Sequence, residues 1–256
     1  MAMRLLTKEQ MIQQLRSVRA RGWIRSLRPL NSGGIGNTID SLLGFPENNL
    51  PIADSAQWEL KSHRLGSSSL LTLFHMEPQP REAKVVPHIL LPKYGWPGRP
   101  SELSFRQTLR ATDTTDRGFG ISVNRIEEKV LVFFDSTKVD SRHAEWLQSV
   151  RERIGLGPLV PQPNWGFQEL FLKASTKMLN SFYVEAETNR RDGEEYFRIT
   201  QVLILQGFDV DHFLLAIEEG DVLIDFDART RKNHGVKFRV RQRRIPSLYR
   251  YSEVAF

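Results

Sequence analysis

From Trp58 the chain reads Trp-Glu-Leu-Lys-Ser-His, alternating apolar and charged positions. Strand side chains repeat with period two. Trp58 and Leu60 therefore face one way, and Glu59, Lys61 and His63 face the other. This predicts a short strand over 57–63 with one face in a core and an acid, an ammonium and an imidazole in a row on the opposite face. Asp54 lies just upstream, behind the turn-like Ser55-Ala56-Gln57, so its carboxylate can swing back beside Glu59. Two carboxylates and a backbone carbonyl can hold a hard divalent cation, which prefers oxygen ligands. A lysine two residues past the second acid can then reach an activated water and a phosphate oxygen, an arrangement suited to metal-assisted phosphodiester hydrolysis. The plainer reading is a Glu59–Lys61 ion pair on a solvated strand. Asp54 at short range is what sets the chemical reading beside it.

The strand must be housed in a sizeable core, and 256 residues suffice for one large domain or two lobes. The net charge of +6 makes an anionic partner plausible. The chain has no cysteine, which excludes disulfides and thiolate metal sites. Its first residues are too short an apolar run for a signal peptide. No segment approaches the roughly 20 apolar residues of a membrane helix. A cytoplasmic protein with no membrane association is the expectation.

Around this strand the chain alternates helical and extended patterns. Thr7 to Gln10 forms a capping box for a helix carrying Met11, Leu15 and Val18. Gly33-Gly34-Ile35-Gly36 is a turn that opens a second helix over 37–43, closed by Gly44. No lysine-serine ending follows it, so a nucleotide-binding loop is disfavoured. Close approach of its backbone to another strand or to a DNA backbone remains. Leu70 to Phe74 is expected to pair with 57–63 as a hairpin across the Gly66–Ser69 turn. Further strands are expected near 105–110, 119–125, 129–135, 181–187 and 195–206, the last two joined at Asp192-Gly193. A helix around 143–154 should bury Trp146, Leu147, Val150 and Ile154, and another should span 167–178. Residues 155–166, with three prolines and three glycines, are the best linker between lobes. The irregular interleaving points to a mixed α/β or α+β fold.

The C-terminal stretch is the strongest compositional signal. Between Asp227 and Glu253 there is no acid, while Arg229, Arg231, Lys232, Lys237, Arg239, Arg241, Arg243 and Arg244 crowd together with His234. Lysine and arginine neutralise phosphates, and arginine also forks onto guanine in the major groove. A charged loop followed by an edge strand guarded by cations is the alternative. After Gly235, alternation puts Val236, Phe238 and Val240 on one face and Lys237, Arg239 and Arg241 on the other. Asp225 and Asp227, on the preceding strand, could accept from cytosine amino groups or pair with these cations.

Gly34-Ile-Gly-Asn-Thr38 leading to Asp40, Asn48-Asn49-Leu50, Asp54 with Glu59-Leu60-Lys61, Leu70 to His75, Asn233-His234-Gly235 with Phe238-Arg239, and the closing Ile245 to Arg250 together resemble the MvaI/BcnI family of restriction endonucleases. These are relatives of the mismatch-repair nickase MutH in the superfamily with a Pro-Asp…(Asp/Glu)-x-Lys site. The resemblance covers most of the chain.

It implies a restriction-endonuclease-like mixed sheet flanked by helices, in a two-lobed, MutH-like crescent. Residues 1–155 would be mainly catalytic and 156–256 mainly DNA-recognising. It also implies a monomer that cleaves double-stranded DNA at short CC-N-GG-like sites, with Mg²⁺ as cofactor and Mn²⁺ as a substitute. A companion DNA methyltransferase would protect the bacterial or archaeal host. Carried over, Asp54, Glu59 and the Leu60 carbonyl hold the metal, Lys61 positions the water, and Asp40 is a supporting acid. His63, on the face of Glu59 and Lys61, could contact a phosphate or relay a proton. Asp225, His234 and Arg239 take base-reading positions. Ala53 stands where proline is usual. An additional histidine is missing at 232–234, and Asp227 stands where some members have arginine, so recognition is where this chain departs. A nickase, or a DNA-binding protein without catalysis, are the competing readings.

Overall fold

The computed structural model describes residues 6–29, 33–45, 58–98 and 101–256. In chain order the elements are α1 (Lys8–Ala20), β1 (Ile24–Arg25), α2 (Gly34–Leu43), β2 (Glu59–Arg64), β3 (Leu70–His75), α3 (Leu91–Tyr94), β4 (Trp96–Pro97), β5 (Leu103–Leu109), β6 (Arg117–Asn124) and β7 (Lys129–Val139). They continue with α4 (Ala144–Ile154), β8 (Asn164–Gly166), α5 (Phe167–Met178), β9 (Asn180–Arg191), β10 (Glu194–Phe208), α6 (Val210–Glu218), β11 (Val222–Arg229), β12 (Lys232–Arg241) and β13 (Tyr249–Val254). This is a mixed α+β protein with several sheets flanked by helices.

The chain divides into two compact units, each built from separate stretches. The first comprises residues 1–71, 172–209 and 242–256; the second comprises 72–171 and 210–241. Position 155, expected as a boundary, falls inside the second unit. A Pro/Gly-rich stretch signals a turn in the backbone, and it does not report which contacts the flanking elements make.

The first unit is organised by a sheet in the order β1-β10-β9-β2, with β13 also paired to β10. β9 and β10 form a long antiparallel hairpin whose turn carries Asp192 at φ 53° and Gly193 at φ 79°. Two successive left-handed residues match the twist of the flanking strands. β2 lies parallel to β9, with Glu59 opposite Ser181, Lys61 opposite Tyr183 and His63 opposite Glu185. One face of this sheet is covered by α1 and α2. Met11, Leu15, Val18, Ile35, Ile39 and Leu43 meet Trp58, Leu60, Phe182, Val184 and Ala186 in the core. The expected capping box on α1 is present in full. α2 begins at Gly34, three residues earlier than expected, because the glycines form its first turn. A Cβ at Gly34 would lie 2.3 Å from the Arg28 carbonyl, and one at Gly36 would lie 3.1 Å from Ser62 Oγ on β2. The glycines thus serve a close backbone approach, in part to a strand.

The pairing of 57–63 with 70–74 does not occur. β2 bonds to β9, whereas β3 joins the sheet of the second unit, in the order β3-β12-β11-β5-β4. The turn at Gly66 separates β2 from β3, and turn residues say only that the chain reverses. The second unit also holds a three-stranded sheet, β6-β7-β8. Its core is aromatic: Phe238 stacks on Phe74 with centroids 4.9 Å apart and meets the edge of Trp165 at 5.3 Å. Of the apolar residues expected to be buried on α4, only Val150 is fully enclosed, and Ile154 is 40% exposed. That helix covers its unit along a narrow stripe, so its last turn extends past the core.

Truncating Phe238 to alanine removes a fully buried ring from beneath the strand bearing Lys237 and Arg239. Phe238→Ala should lower stability by about 3–5 kcal/mol, read from urea unfolding monitored by tryptophan fluorescence.

Candidate functional site

β2 and β9 present one polar face between them. The parallel register brings Glu59, Lys61 and His63 beside Ser181, Tyr183 and Glu185. Trp58 and Leu60, turned the other way, are buried in the core, so the orientation is fixed by the cost of exposing them.

Glu59 is the chemical centre of this face. Its residue is 2% exposed. Lys61 Nζ donates to Oε1 at 2.6 Å, and Lys177 Nζ, from the end of α5, stands 3.5 Å from the same oxygen. The other oxygen, Oε2, is buried and has no hydrogen-bond partner among the described residues. A buried carboxylate oxygen without a donor is costly unless something supplies positive charge. Beside it, Ser181 Oγ and Tyr249 Oη share a 2.8 Å hydrogen bond. Burial, with Glu59 adding to it, raises the Tyr249 hydroxyl above its ordinary range, so that group stays protonated.

His63 sits farther along the face. Its ring stacks on Tyr183 with centroids 4.8 Å apart and planes 14° from parallel. Nε2 is 3.9 Å from Glu185 Oε1, and Nδ1 is buried without a hydrogen bond among the described residues. Burial lowers the His63 pKa and raises that of Glu185, which favours the neutral form of each. Burial also keeps the Tyr183 phenol protonated.

The second unit carries a polar face on β5, β11 and β12. Val236, Phe238 and Val240 are fully buried and their neighbours face outward, as the alternation predicts. Asp225 accepts from Thr108 Oγ1 at 3.0 Å and from Arg239 Nη1 at 3.3 Å. Asp227 pairs with Arg106 Nε at 2.9 Å and with Lys237 Nζ at 3.7 Å. Of the two roles open to these acids, the structure shows ion pairing with cations of their own sheet. Arg229 is half-buried, and Arg231, Lys232 and His234 are exposed. The β11–β12 register shifts between Phe226 and Ala228, which leaves His234 and Gly235 in a bulge. Gly235 has φ 76°, and the Asn233 side chain accepts from its N–H at 3.0 Å. Glu77 Oε1 accepts from the N–H of Val236 at 3.2 Å, and burial raises the Glu77 carboxyl.

A family model described as the MvaI/BcnI restriction endonuclease family matches residues 12–249. The chain belongs to that family. A solved structure titled as the restriction endonuclease MvaI in complex with cognate DNA substrate is 21% identical, with a TM-score of 0.79 over 98% of this chain and 100% of the other. MvaI in the absence of DNA gives a TM-score of 0.55 at 21% identity, over 96% and 98% of the two chains. Comparison with curated proteins gives no match. As an MvaI/BcnI enzyme the chain is a type II site-specific deoxyribonuclease.

Within this MvaI/BcnI endonuclease, Glu59 and Lys61 stand together on one strand, with His63 on the same face. Asp54, Ala53 and 48–50 lie outside the described residues. Asp40, on α2, lines a hollow of about 250 Å³ with Leu27, Arg28, Asn37, Ser41 and Phe45. Among the described residues, no cluster of three or more His, Asp or Glu side chains stands ready to hold a metal. No described helix is long and apolar enough to cross a membrane. Lys177 and Tyr249 were not identified from sequence. They lie more than 100 residues from Glu59, and only the β2–β9 pairing implies their approach. Arg106 was missed likewise, since nothing local marks a lone arginine on a strand as the partner of an acid far along the chain.

His63 gives a pH signature. Its folded pKa lies below the unfolded value, so unfolded chains bind the proton first as pH falls. The stability it contributes is complete above about pH 6.5 and is lost on acidification. His63→Gln should therefore melt with a shallower loss of Tm between pH 7 and pH 5 than wild type, by scanning calorimetry. Equal slopes would place the acid sensitivity elsewhere.

Proposed function

We propose that this endonuclease cleaves both strands of duplex DNA at a short CC-N-GG-like site by divalent-cation-dependent hydrolysis, leaving 5′-phosphate and 3′-hydroxyl ends. Mg²⁺ is the proposed cofactor, with Mn²⁺ as a substitute. The proposed setting is the cytoplasm of a cell that carries a protecting methyltransferase, with the chain acting as a monomer. The observation that supports this best is the state of Glu59: one oxygen held by two ammonium groups, the other buried and without a donor among the described residues. The likeness to MvaI in its cognate DNA complex supports duplex DNA as the substrate.

The residues present fit a hard cation. Glu59 Oε2 would hold it together with the Asp54 carboxylate and the Leu60 carbonyl. A divalent ion bound there lowers the pKa of the attacking water and offsets charge on the phosphoryl oxygens. Lys61 then orients the nucleophile and faces the phosphate being cut. Lys177 brings a second positive charge to the same carboxylate, where the surrounding protein weakens screening by water. The two ammonium groups would face the negative charge carried by the non-bridging phosphoryl oxygens during in-line attack. Asp40 is assigned a supporting role. Burial lowers the His63 pKa, which favours packing of its neutral ring against Tyr183 over neutralising a phosphate. The exposed Arg231, Lys232 and His234, with Arg229, Lys237 and Arg239, are assigned to DNA, Asp225 and Asp227 holding their sheet partners in place.

A supercoiled plasmid of known sequence should give discrete linear fragments with Mg²⁺ and none with EDTA. Accumulation of open circles alone would instead indicate a nickase. Glu59→Gln and Lys61→Ala should each slow cleavage by at least roughly 10²–10³-fold, and Lys177→Ala by roughly 10²-fold, while all three still bind duplex in Ca²⁺. A Lys61→Ala enzyme that cuts like wild type would sink the site assignment.

A further inference from the structure

We propose that Arg106 reads a guanine of the target site, with Asp227 as the ion-pair partner that keeps its guanidinium on this face. This rests on the sequence-specific cleavage proposed above and adds a specificity residue from a strand that carries none of the others. β5 lies antiparallel to β11, with Arg106 directly opposite Asp227 and Thr108 opposite Asp225. The side chains of this row share the outward face with Lys237 and Arg239 of β12.

The two acids on this face are in different states. Asp225 has both oxygens occupied by hydrogen bonds, from Thr108 and Arg239. Asp227 holds Arg106 and Lys237 by charge, but its Oδ1 is buried and accepts no hydrogen bond among the described residues. The contact with Arg106 runs through Nε at 2.9 Å. This is an ion-pair approach without a hydrogen bond, and it leaves the edge bearing the two terminal nitrogens outside the pair. That edge is the fork that matches the O6 and N7 acceptors of guanine in the major groove. The side chain of Arg106 is 52% exposed, whereas that of Asp227 is 18% exposed, so the cation is the outer member of the pair. A hollow of about 240 Å³ lined by Gly98, Glu102, Leu103, Ser104, Arg106 and Arg229 adjoins it.

If Arg106 served only to neutralise Asp227, any cation would do, and lysine would replace it. A base-reading fork cannot be replaced by lysine, which carries a point charge on a flexible stem. The two roles therefore separate on Arg106→Lys. Full-length wild type, Arg106→Lys and Arg106→Ala would each select from a library of duplexes with eight randomised base pairs, in Ca²⁺ so that nothing is cut. Wild type should enrich a defined site. Both variants should lose preference at one G·C pair by roughly 10- to 100-fold while keeping the remaining positions, which also shows that they are folded. Asp227→Asn, which loosens the grip without removing the fork, should weaken the preference at that same pair. Enrichment of an unchanged site by Arg106→Lys overturns the inference and leaves the endonuclease reading intact. A uniform loss of affinity across all sequences, with a shallower salt dependence, would mark Arg106 as a phosphate contact and also overturn it. A wild type that enriches nothing would overturn the sequence-specific reading itself, and the inference with it.

Discussion

A nearly buried carboxylate held between two ammonium groups is the constraint on which the first unit depends. Taking Glu59 out of water is expensive, and its attraction to Lys61 and Lys177 has to compensate for that. The attraction is available only if β2 runs parallel to β9 in the observed register, because that register brings α5 and its terminal lysine to the strand. One oxygen is satisfied in this way, and the other has no hydrogen-bond partner among the described residues. That buried acceptor is the observation on which the proposed cation-binding role of Glu59 rests.

Secure packing beneath the polar face makes this imbalance tolerable. Trp58 and Leu60 anchor β2 in a core shared with α1, α2 and β9, and Trp58 lies 4.7 Å from Phe182, centroid to centroid. At the far end of β2, Arg64 forks onto the buried Glu195 of β10 with both contacts at 2.9 Å. A strand fixed at its core face and at one end can hold an awkward group on the other face. The second unit follows the same plan: Val236, Phe238 and Val240 bury one side of β12 so that its cations stand on the other. There Asp225 pairs with Arg239, and Asp227 with Arg106 and Lys237, on the same face.

The sequence carried most of what is periodic or local. Alternation from Trp58 gave the face of Glu59, Lys61 and His63; alternation after Gly235 gave that of Lys237 and Arg239; Asp192-Gly193 gave the long hairpin. The capping box at Thr7 and the close approach at Gly36 were also legible, each resting on residues adjacent in the chain. The supposed hairpin between 57–63 and 70–74 shows where this ends. Both segments are strands, but strand-forming composition does not name a partner, and each found its partner far along the chain.

Composition and periodicity by themselves determined that this chain is a mixed α+β protein with one acid-and-lysine strand and one basic strand, because side-chain alternation and turn chemistry act over a few residues. The resemblance of its ordered blocks added the family. Tertiary structure alone decided that Lys177 and Tyr249 stand at Glu59, that His63 lies flat on Tyr183, that Asp225 and Asp227 are ion-paired, and that Arg106 pairs with Asp227. Each of these depends on which strands hydrogen-bond to which, and that choice is set by burying apolar faces over the whole molecule.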